Sequence, residues 1–189
     1  MKRFQSLDAV LEHIRIYLHD AVDDRQKAFT TPVVATDGPA ARTVALRDVN
    51  IDDRTLLFHT DVRSAKIDEL RDTPSAMWVA WEPEISQQFQ FSGSTSIHTD
   101  GDIADRVWQL QSTDNRAFYY KDAVPGEPID RPASCIDVDA ISDDEARSNF
   151  AVVRTVIDQI TWLHLHPDGE YRARFHWDGD RFTGDWIVP

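Results

Sequence analysis

The strongest constraint on this chain is a change of period. Leu7, Val10, Leu11, Ile14, Tyr17, Leu18 and Val22 recur at three- and four-residue steps, the spacing of an amphipathic helix, and Ser6 is placed to cap it. From Phe29 onward the sequence breaks into short β-rich runs separated by turn signals. Phe29 to Thr36 and Arg42 to Arg47 flank Asp37-Gly38-Pro39, and Thr55 to Thr60 follows a polar connection. Ala76 to Trp81 is almost wholly apolar, as a strand buried on both faces requires, whereas Gln87 to Ile97 alternates polar with apolar. Ile160 to Leu165, Tyr171 to Trp177 and Arg181 to Val188 close the chain, with Asp178-Gly179-Asp180 as a hairpin turn. Connections of hairpin length pair neighbours antiparallel. The expectation is a mainly β fold with peripheral helices, its antiparallel sheet closed into a barrel.

Three further helices are predicted. One spans Ser64 to Arg71 and stops at Thr73-Pro74; one follows Asp100 through Val107, Trp108 and Leu110. The third opens on the capping box Ser142 to Glu145 and runs through Val152, Val153 and Val156. Residues 121–134 read as a loop. The whole reads as one domain, 1–189, with an N-terminal helix (1–25), a barrel core (29–98), a helical and loop insertion (99–159) and closing strands (160–189).

Twenty Lys+Arg against 33 Asp+Glu leave a net charge of −13, which argues against nucleic acid and against anionic membranes as partners. No apolar window approaches the ~18 residues of a membrane span, no signal-like segment is seen, and a cytoplasmic location is expected. Cys135, the single cysteine, excludes a disulfide within the chain and reads as a small hydrophobe. Neither nucleotide-binding glycine fingerprint is present. His164, His166 and His176 sit on adjacent strands but lack the spacing and acidic companion of a metal site. The acidic run from Asp137 to Glu145 lacks a calcium loop's glycine and is better read as a helix start. Trp78 and Trp81 read as core or interface residues; Trp108, Phe118, Tyr119 and Tyr120 fall where substrate loops would lie.

One constellation runs against the global charge. Arg42 and Arg47 bracket a strand, and Thr60, Arg63, Ser64 and Lys66 open a short helix. A helix start offers unsatisfied N–H groups and partial positive charge, which suits a phosphate. The plain alternative is a solvated turn whose cations pair with Asp61, Asp68 or Glu69.

These residues resemble a family. Arg42-Thr-Val-Ala-Leu-Arg47, then Phe58-His-Thr-Asp-Val-Arg-Ser-Ala-Lys66, Pro74 to Trp81, Gln88-Phe-Gln-Phe-Ser-Gly93, Tyr171 to Phe175 and Asp185 to Pro189 match, in order and spacing, the pyridoxamine 5′-phosphate oxidase superfamily. The resemblance covers 29–98 and 160–189. It implies an FMN-binding split β-barrel homodimer, with one FMN in each of two clefts at the subunit interface, acting on a small molecule by hydride transfer at flavin N5. Arg42 and Lys66 would hold the FMN phosphate with Ser64 assisting, and Thr43, Val44, His59 and Thr60 would line the ribityl and ring region. Arg47 and His59 stand near the ring, Gln88 would bond the isoalloxazine edge, and Arg174 would lie near its pyrimidine end. No catalytic residue is singled out.

The departures bear on substrate. Ala65 stands where the family's phosphate helix carries arginine, with Arg63 as the nearest substitute, and Arg47 stands where the true oxidase has a substrate lysine. The family's substrate-phosphate clamp falls near Trp108, Ser112 and Arg116 and is not reproduced; Glu170 replaces the arginine of a late substrate motif, with Arg172 its possible offset. The chain therefore resembles the uncharacterised FMN-binding branch more than the true oxidase. The alternatives are a flavin-binding or redox-sensing module without turnover, and the true oxidase itself.

Overall fold

Strand β7 (Phe150–His166) organises the fold. The computed structural model describes residues 3–24, 26–38, 40–129 and 141–189. Along one edge of β7 lies β6 (Gln87–His98), paired from Gln87↔His164 to His98↔Val152. The other edge is shared: β4 (Thr55–Asp61) takes residues 150–156, and β8 (Gly169–Trp177) takes 159–166. Beyond β6 come β5 (Ser75–Glu82), β1 (Val33–Ala35) and β2 (Ala41–Thr43), beyond β4 comes β3 (Asp48–Asn50), and beyond β8 comes β9 (Phe182–Trp186). Every pairing is antiparallel.

The mainly β, split-barrel expectation holds, with two corrections. The sheet does not close: its path runs β2-β1-β5-β6-β7-β4-β3, and no ladder joins β2 to β3. Residues 44–47 span that gap covalently, so the expected strand Arg42 to Arg47 breaks after Thr43. The physical reason is a change of partners. Val44 and Leu46 donate their N–H groups to Pro32 and Thr30, while Arg47 donates to Leu57 at the opposite sheet edge.

The second correction concerns the helix expected through Val156. The capping box at Ser142 and Glu145 forms, but α5 (Asp143–Ser148) ends there and β7 begins at Phe150. Val152 and Val153 are both fully buried, on opposite faces of β7. A strand covered on both sides shows neither period, so β-branched residues at steps of one and three are easily taken for a helix. The expected division between 159 and 160 falls inside this strand.

One face of the sheet holds the main core, including Phe58, Trp78, Phe89, Phe91 and Trp162. Helix α1 (Leu7–Asp23) packs there through Val10, Ile14, Tyr17, Leu18 and Ala21, with Ser6 accepting from the Ala9 N–H as cap. Each large side chain so buried contributes about 1.5–3 kcal/mol. Helix α2 (Ala65–Asp72) buries Ile67 and Leu70 in the same core. On the outer face of β4 and β7, α3 (Gly101–Leu110), α4 (Thr113–Arg116), the turn Ala117–Tyr119 and α5 enclose a second cluster of Trp108, Tyr119, Ala146, Phe150 and Val152. Trp108 and Tyr119 are thus core residues. Cys135, Asp137 and Asp139 lie outside the described residues.

Candidate functional site

Strand β4 and helix α2 bring three hydroxyl and ammonium groups together. Lys66 Nζ donates to Thr60 Oγ1 and to Ser64 Oγ, each at 3.0 Å, and the two hydroxyl oxygens are 3.3 Å apart. Thr60 and Ser64 are buried, at 8% and 5% exposure. Ser64 is the N-cap residue of α2 with extended backbone, yet its side chain makes no cap bond. The first N–H groups of the helix therefore keep their partial positive charge uncancelled by a side chain. Burial and the nearby Arg42 guanidinium push the Lys66 pKa below its ordinary value, against the pull of Asp61 and Glu69. An ammonium held this way gains from an incoming anion.

The flanking arginines are engaged differently. Arg42 donates to Thr36 Oγ1 at 2.6 Å and to Glu69 Oε2 at 2.7 Å, and Thr36 also donates to Glu69. Glu69 is held below the usual carboxylate range, by the Thr36 bond first and by Arg42 second. Arg63 is folded back on Asp61, at 3.0 Å from Nε and 2.8 Å from Nη2, and donates to the Lys121 and Asp122 carbonyls. The ion-paired alternative thus holds for Arg63 and Arg42. Lys66 makes no ion pair among the described residues.

His59, next to Thr60 on β4, belongs to the opposite face. Its Nδ1 accepts from Gln111 Nε2 at 2.8 Å, and its ring meets Phe150 edge-on. Burial first, and the Arg47 charge second, lower its pKa to about 4, so the ring is neutral at physiological pH. With Nδ1 accepting, Nε2 carries the proton and is a donor. Arg47, Asp48, Leu57, His59, Val107 and Gln111 are among the residues lining a cavity of about 310 Å³ between β3, β4 and helices α3 and α4, and Asn115 lines it with them. Beyond Leu57, β4 has no partner strand on its β3 side among the described residues.

Gln88 and Arg174 lie elsewhere. Thr43, Val33, Val79, Gln90, Thr161 and Arg174 form one cross-strand row on the outward sheet face, and Gln88 stands one row away, opposite Trp81 and Leu163. Thr43 and Arg174 are thus five strand spacings apart, about 24 Å along the sheet at ~4.8 Å each. Val33, Met77 and Trp81 on that face are 38%, 39% and 42% exposed. The structure therefore unites Arg42, Thr60, Ser64 and Lys66 in one cluster and Arg47 with His59 in another. It leaves Gln88 and Arg174 apart from both.

Sequence reasoning missed Thr36, Gln111 and Asn115. Thr36 had no motif. Gln111 reaches His59 across 52 positions of sequence, a contact no local pattern announces.

An open antiparallel split barrel with a lysine–hydroxyl cluster at a helix start defines a class of small β proteins suited to a phosphorylated ligand. Residues 11–99 match the family model described as "Pyridoxamine 5'-phosphate oxidase, FMN-binding domain". The likeness to that family lies in these residues, somewhat under half of the chain. A pyridoxine/pyridoxamine 5′-phosphate oxidase of Thermosynechococcus vestitus is 40% identical over 88 residues, 44% of this chain and 41% of that one. One from Gloeothece citriformis is 31% identical over 103 residues, covering 50% and 47%. The chain thus spans less than half the length of these relatives. In structure it resembles a pyridoxamine 5′-phosphate oxidase-related, FMN-binding protein of Nostoc punctiforme (TM-score 0.74, 22% identity, all of both chains). It also resembles PhzG of Burkholderia lata (TM-score 0.74, 19% identity, 95% and 92% covered). These two likenesses establish the fold.

Proposed function

We propose that this chain binds FMN and acts as a flavin-dependent oxidoreductase on a small molecule, as a homodimer. The carrying observation is the Lys66–Thr60–Ser64 cluster at the uncapped start of α2. Its donor set suits a phosphate monoester: one ammonium without an ion pair among the described residues, two hydroxyls, helix N–H groups and the adjacent Arg42. Bound FMN supplies two-electron chemistry at N5; the protein supplies position and electrostatics.

Within that reading, Lys66, Ser64 and Thr60 fix the phosphate, and Arg42 adds charge to the degree that Glu69 releases it. Residues 43–47 and the open edge of β4 are the neighbouring backbone against which the rest of the cofactor lies. Gln88 and Arg174 serve from a second copy, since the sheet register sets Arg174 five strands from Thr43, about 24 Å along the sheet. The half-exposed Val33, Met77 and Trp81 on the same face supply the apolar contact such a copy needs. A flavin-binding module without turnover remains the second reading, because no side chain in the cluster is a general base aimed at a reacting atom.

Titration of the purified chain with FMN and with riboflavin, read by flavin fluorescence, tests the proposal. FMN binding at least tenfold tighter than riboflavin, lost in Lys66→Ala, is expected. Equal affinity for the two ligands overturns the phosphate assignment. Sedimentation of the loaded protein reads the dimer. Anaerobic reduction by NADH or NADPH followed by oxygen separates an oxidoreductase from a flavin store.

A further inference from the structure

A separate cavity, of about 360 Å³, opens where β7 changes partners. Strand β4 pairs with β7 as far as Val156 and β8 takes over at Gln159, so the two strands diverge on either side of Ile157. The backbone at this parting is satisfied by the β3–β4 turn. The Ile157 N–H donates to the Arg54 carbonyl at 2.8 Å, and Arg54 Nη1 donates to the Ile157 carbonyl at 2.6 Å. The Arg54 guanidinium also lies over the Trp177 ring of β8, 3.9 Å from its centre. It reaches both partners from a left-handed backbone, at φ 58°. One residue thus ties the turn to β7 and to β8 and sets the spacing of the two lips.

The interior is apolar. Ile157 and Ile160 of β7 form the floor and Ile14 and Leu18 of α1 the roof, all four at most 4% exposed. Val49 and Ile51 line one lip; Trp177 and Phe182 line the other, their rings meeting edge-on at 5.3 Å. The charged lining residues balance: Arg15, Arg54 and Arg181 stand against Asp8, Asp52 and Asp180. All of these except Arg54 are exposed and belong to the mouth. Arg15 pairs with Asp52 at 3.5 Å, and Arg54 is committed to Ile157 and Trp177. The neutral polar residues are Thr55 and Asn50, the latter spent on Asp53 within its own turn. An ion would leave water for an apolar interior with no net opposite charge to meet it, which is costly; an apolar solute sheds its hydration favourably.

We propose that this cavity binds a small uncharged apolar molecule, at a site separate from the phosphate cluster. Its volume lies in the range of ordinary small-molecule pockets, and its lips are fixed by contacts within the chain, as such pockets require. A ring pair facing branched aliphatic side chains suits a compact one- or two-ring framework. The separation follows from β4: its first residue, Thr55, lines the cavity, while Thr60 belongs to the lysine cluster, five residues or about 17 Å further along the strand. The inference does not rest on the flavin reading above.

The test titrates the purified chain, by calorimetry, with three probes built on one ring system: neutral indole, the indole-3-acetate anion and the tryptamine cation. Indole should saturate at one site per chain, with both ions at least fivefold weaker. Leu11→Trp fills the cavity from α1 and Ile51→Trp fills it from the facing lip. Each should weaken indole at least tenfold while melting close to the wild-type temperature. Saturating FMN should leave indole affinity unchanged. No saturable indole binding, tighter binding of either ion, wild-type indole affinity in a folded variant, or displacement of indole by FMN overturns the proposal.

Discussion

Glu69 Oε2 lies 2.7 Å from Arg42 Nη2, while Lys66, three residues earlier in α2, makes bonds to hydroxyls alone. The two cations expected to share one anion are therefore unequal: one is already neutralised, the other is waiting. Glu69→Gln removes the competing carboxylate. FMN affinity is expected to rise severalfold by fluorescence titration, at a stability cost below ~1 kcal/mol for a pair that is about a quarter exposed. A fall in affinity would mean that Glu69 positions Arg42 for the ligand and does not compete with it.

Lys66→Met should weaken FMN by roughly 10- to 100-fold, the ~1.5–3 kcal/mol of a charge-assisted contact, and leave riboflavin unchanged. Because the folded Lys66 pKa is depressed, the unfolded chain binds the extra proton between the folded and the ordinary lysine values. Apo-protein stability should therefore gain as pH rises through that alkaline window, and FMN affinity should drop in the same window. Titrations from pH 8 to 10 on wild type and Lys66→Met check both, the variant losing the pH dependence.

His59 carries the same sign of pH dependence into the acid range. Its folded pKa near 4 lies below the ordinary 6.5, so the unfolded chain takes up the proton first and stability falls as pH drops from about 6.5 towards 4. His59→Phe keeps an aromatic ring against Phe150 and should make that acid limb shallower in urea unfolding at pH 7, 5.5 and 4.5, the His164 contribution remaining. An unchanged acid limb would locate the titration elsewhere.

How much of this was legible beforehand varies with the range of the contact involved. The α2 start, the Ser6 and Ser142 caps and the Asp178-Gly179 hairpin are local features, and each formed where the sequence placed it. The break after Thr43 depends on two non-adjacent partners, Pro32 behind and Leu57 ahead, and no window across residues 42–47 contains either. Val152 and Val153 misled because the outer helices bury what a two-sided pattern would leave exposed. The charge partners were visible only as candidates: Asp61 and Glu69 stood close enough in sequence to be suspected, but nothing local decides which cation each takes.

Gly93 marks a position where size, not sequence pattern, is decisive. The register between β6 and β7 shifts at Ser92/Gly93, and a methyl on Gly93 would lie 1.9 Å from the Val156 carbonyl oxygen. That atom belongs to the backbone of the central strand, so it yields only by deforming the sheet. Gly93→Ala should cost about 2–4 kcal/mol in chemical denaturation. A near-neutral result would show that the shift relaxes at no expense to β7.

His164 gives the opposite expectation, a substitution that stabilises. It is 1% exposed, neither ring nitrogen has a hydrogen-bond partner among the described residues, and aromatic rings of Phe4, Trp162, His166 and Tyr171 surround it. Burial first, then the neighbouring His166 and His13, hold its pKa below the ordinary value. A buried polar group without a partner costs roughly 1–3 kcal/mol, whereas an apolar ring of the same shape does not. His164→Phe should therefore raise stability by about 1 kcal/mol at pH 7. The gain should grow below pH 6.5, where the unfolded histidine takes a proton that the folded one refuses. Thermal melts of both proteins at pH 7 and pH 5 decide the matter: a lower melting temperature for the variant at pH 7 would show that the imidazole contributes a favourable interaction in the fold.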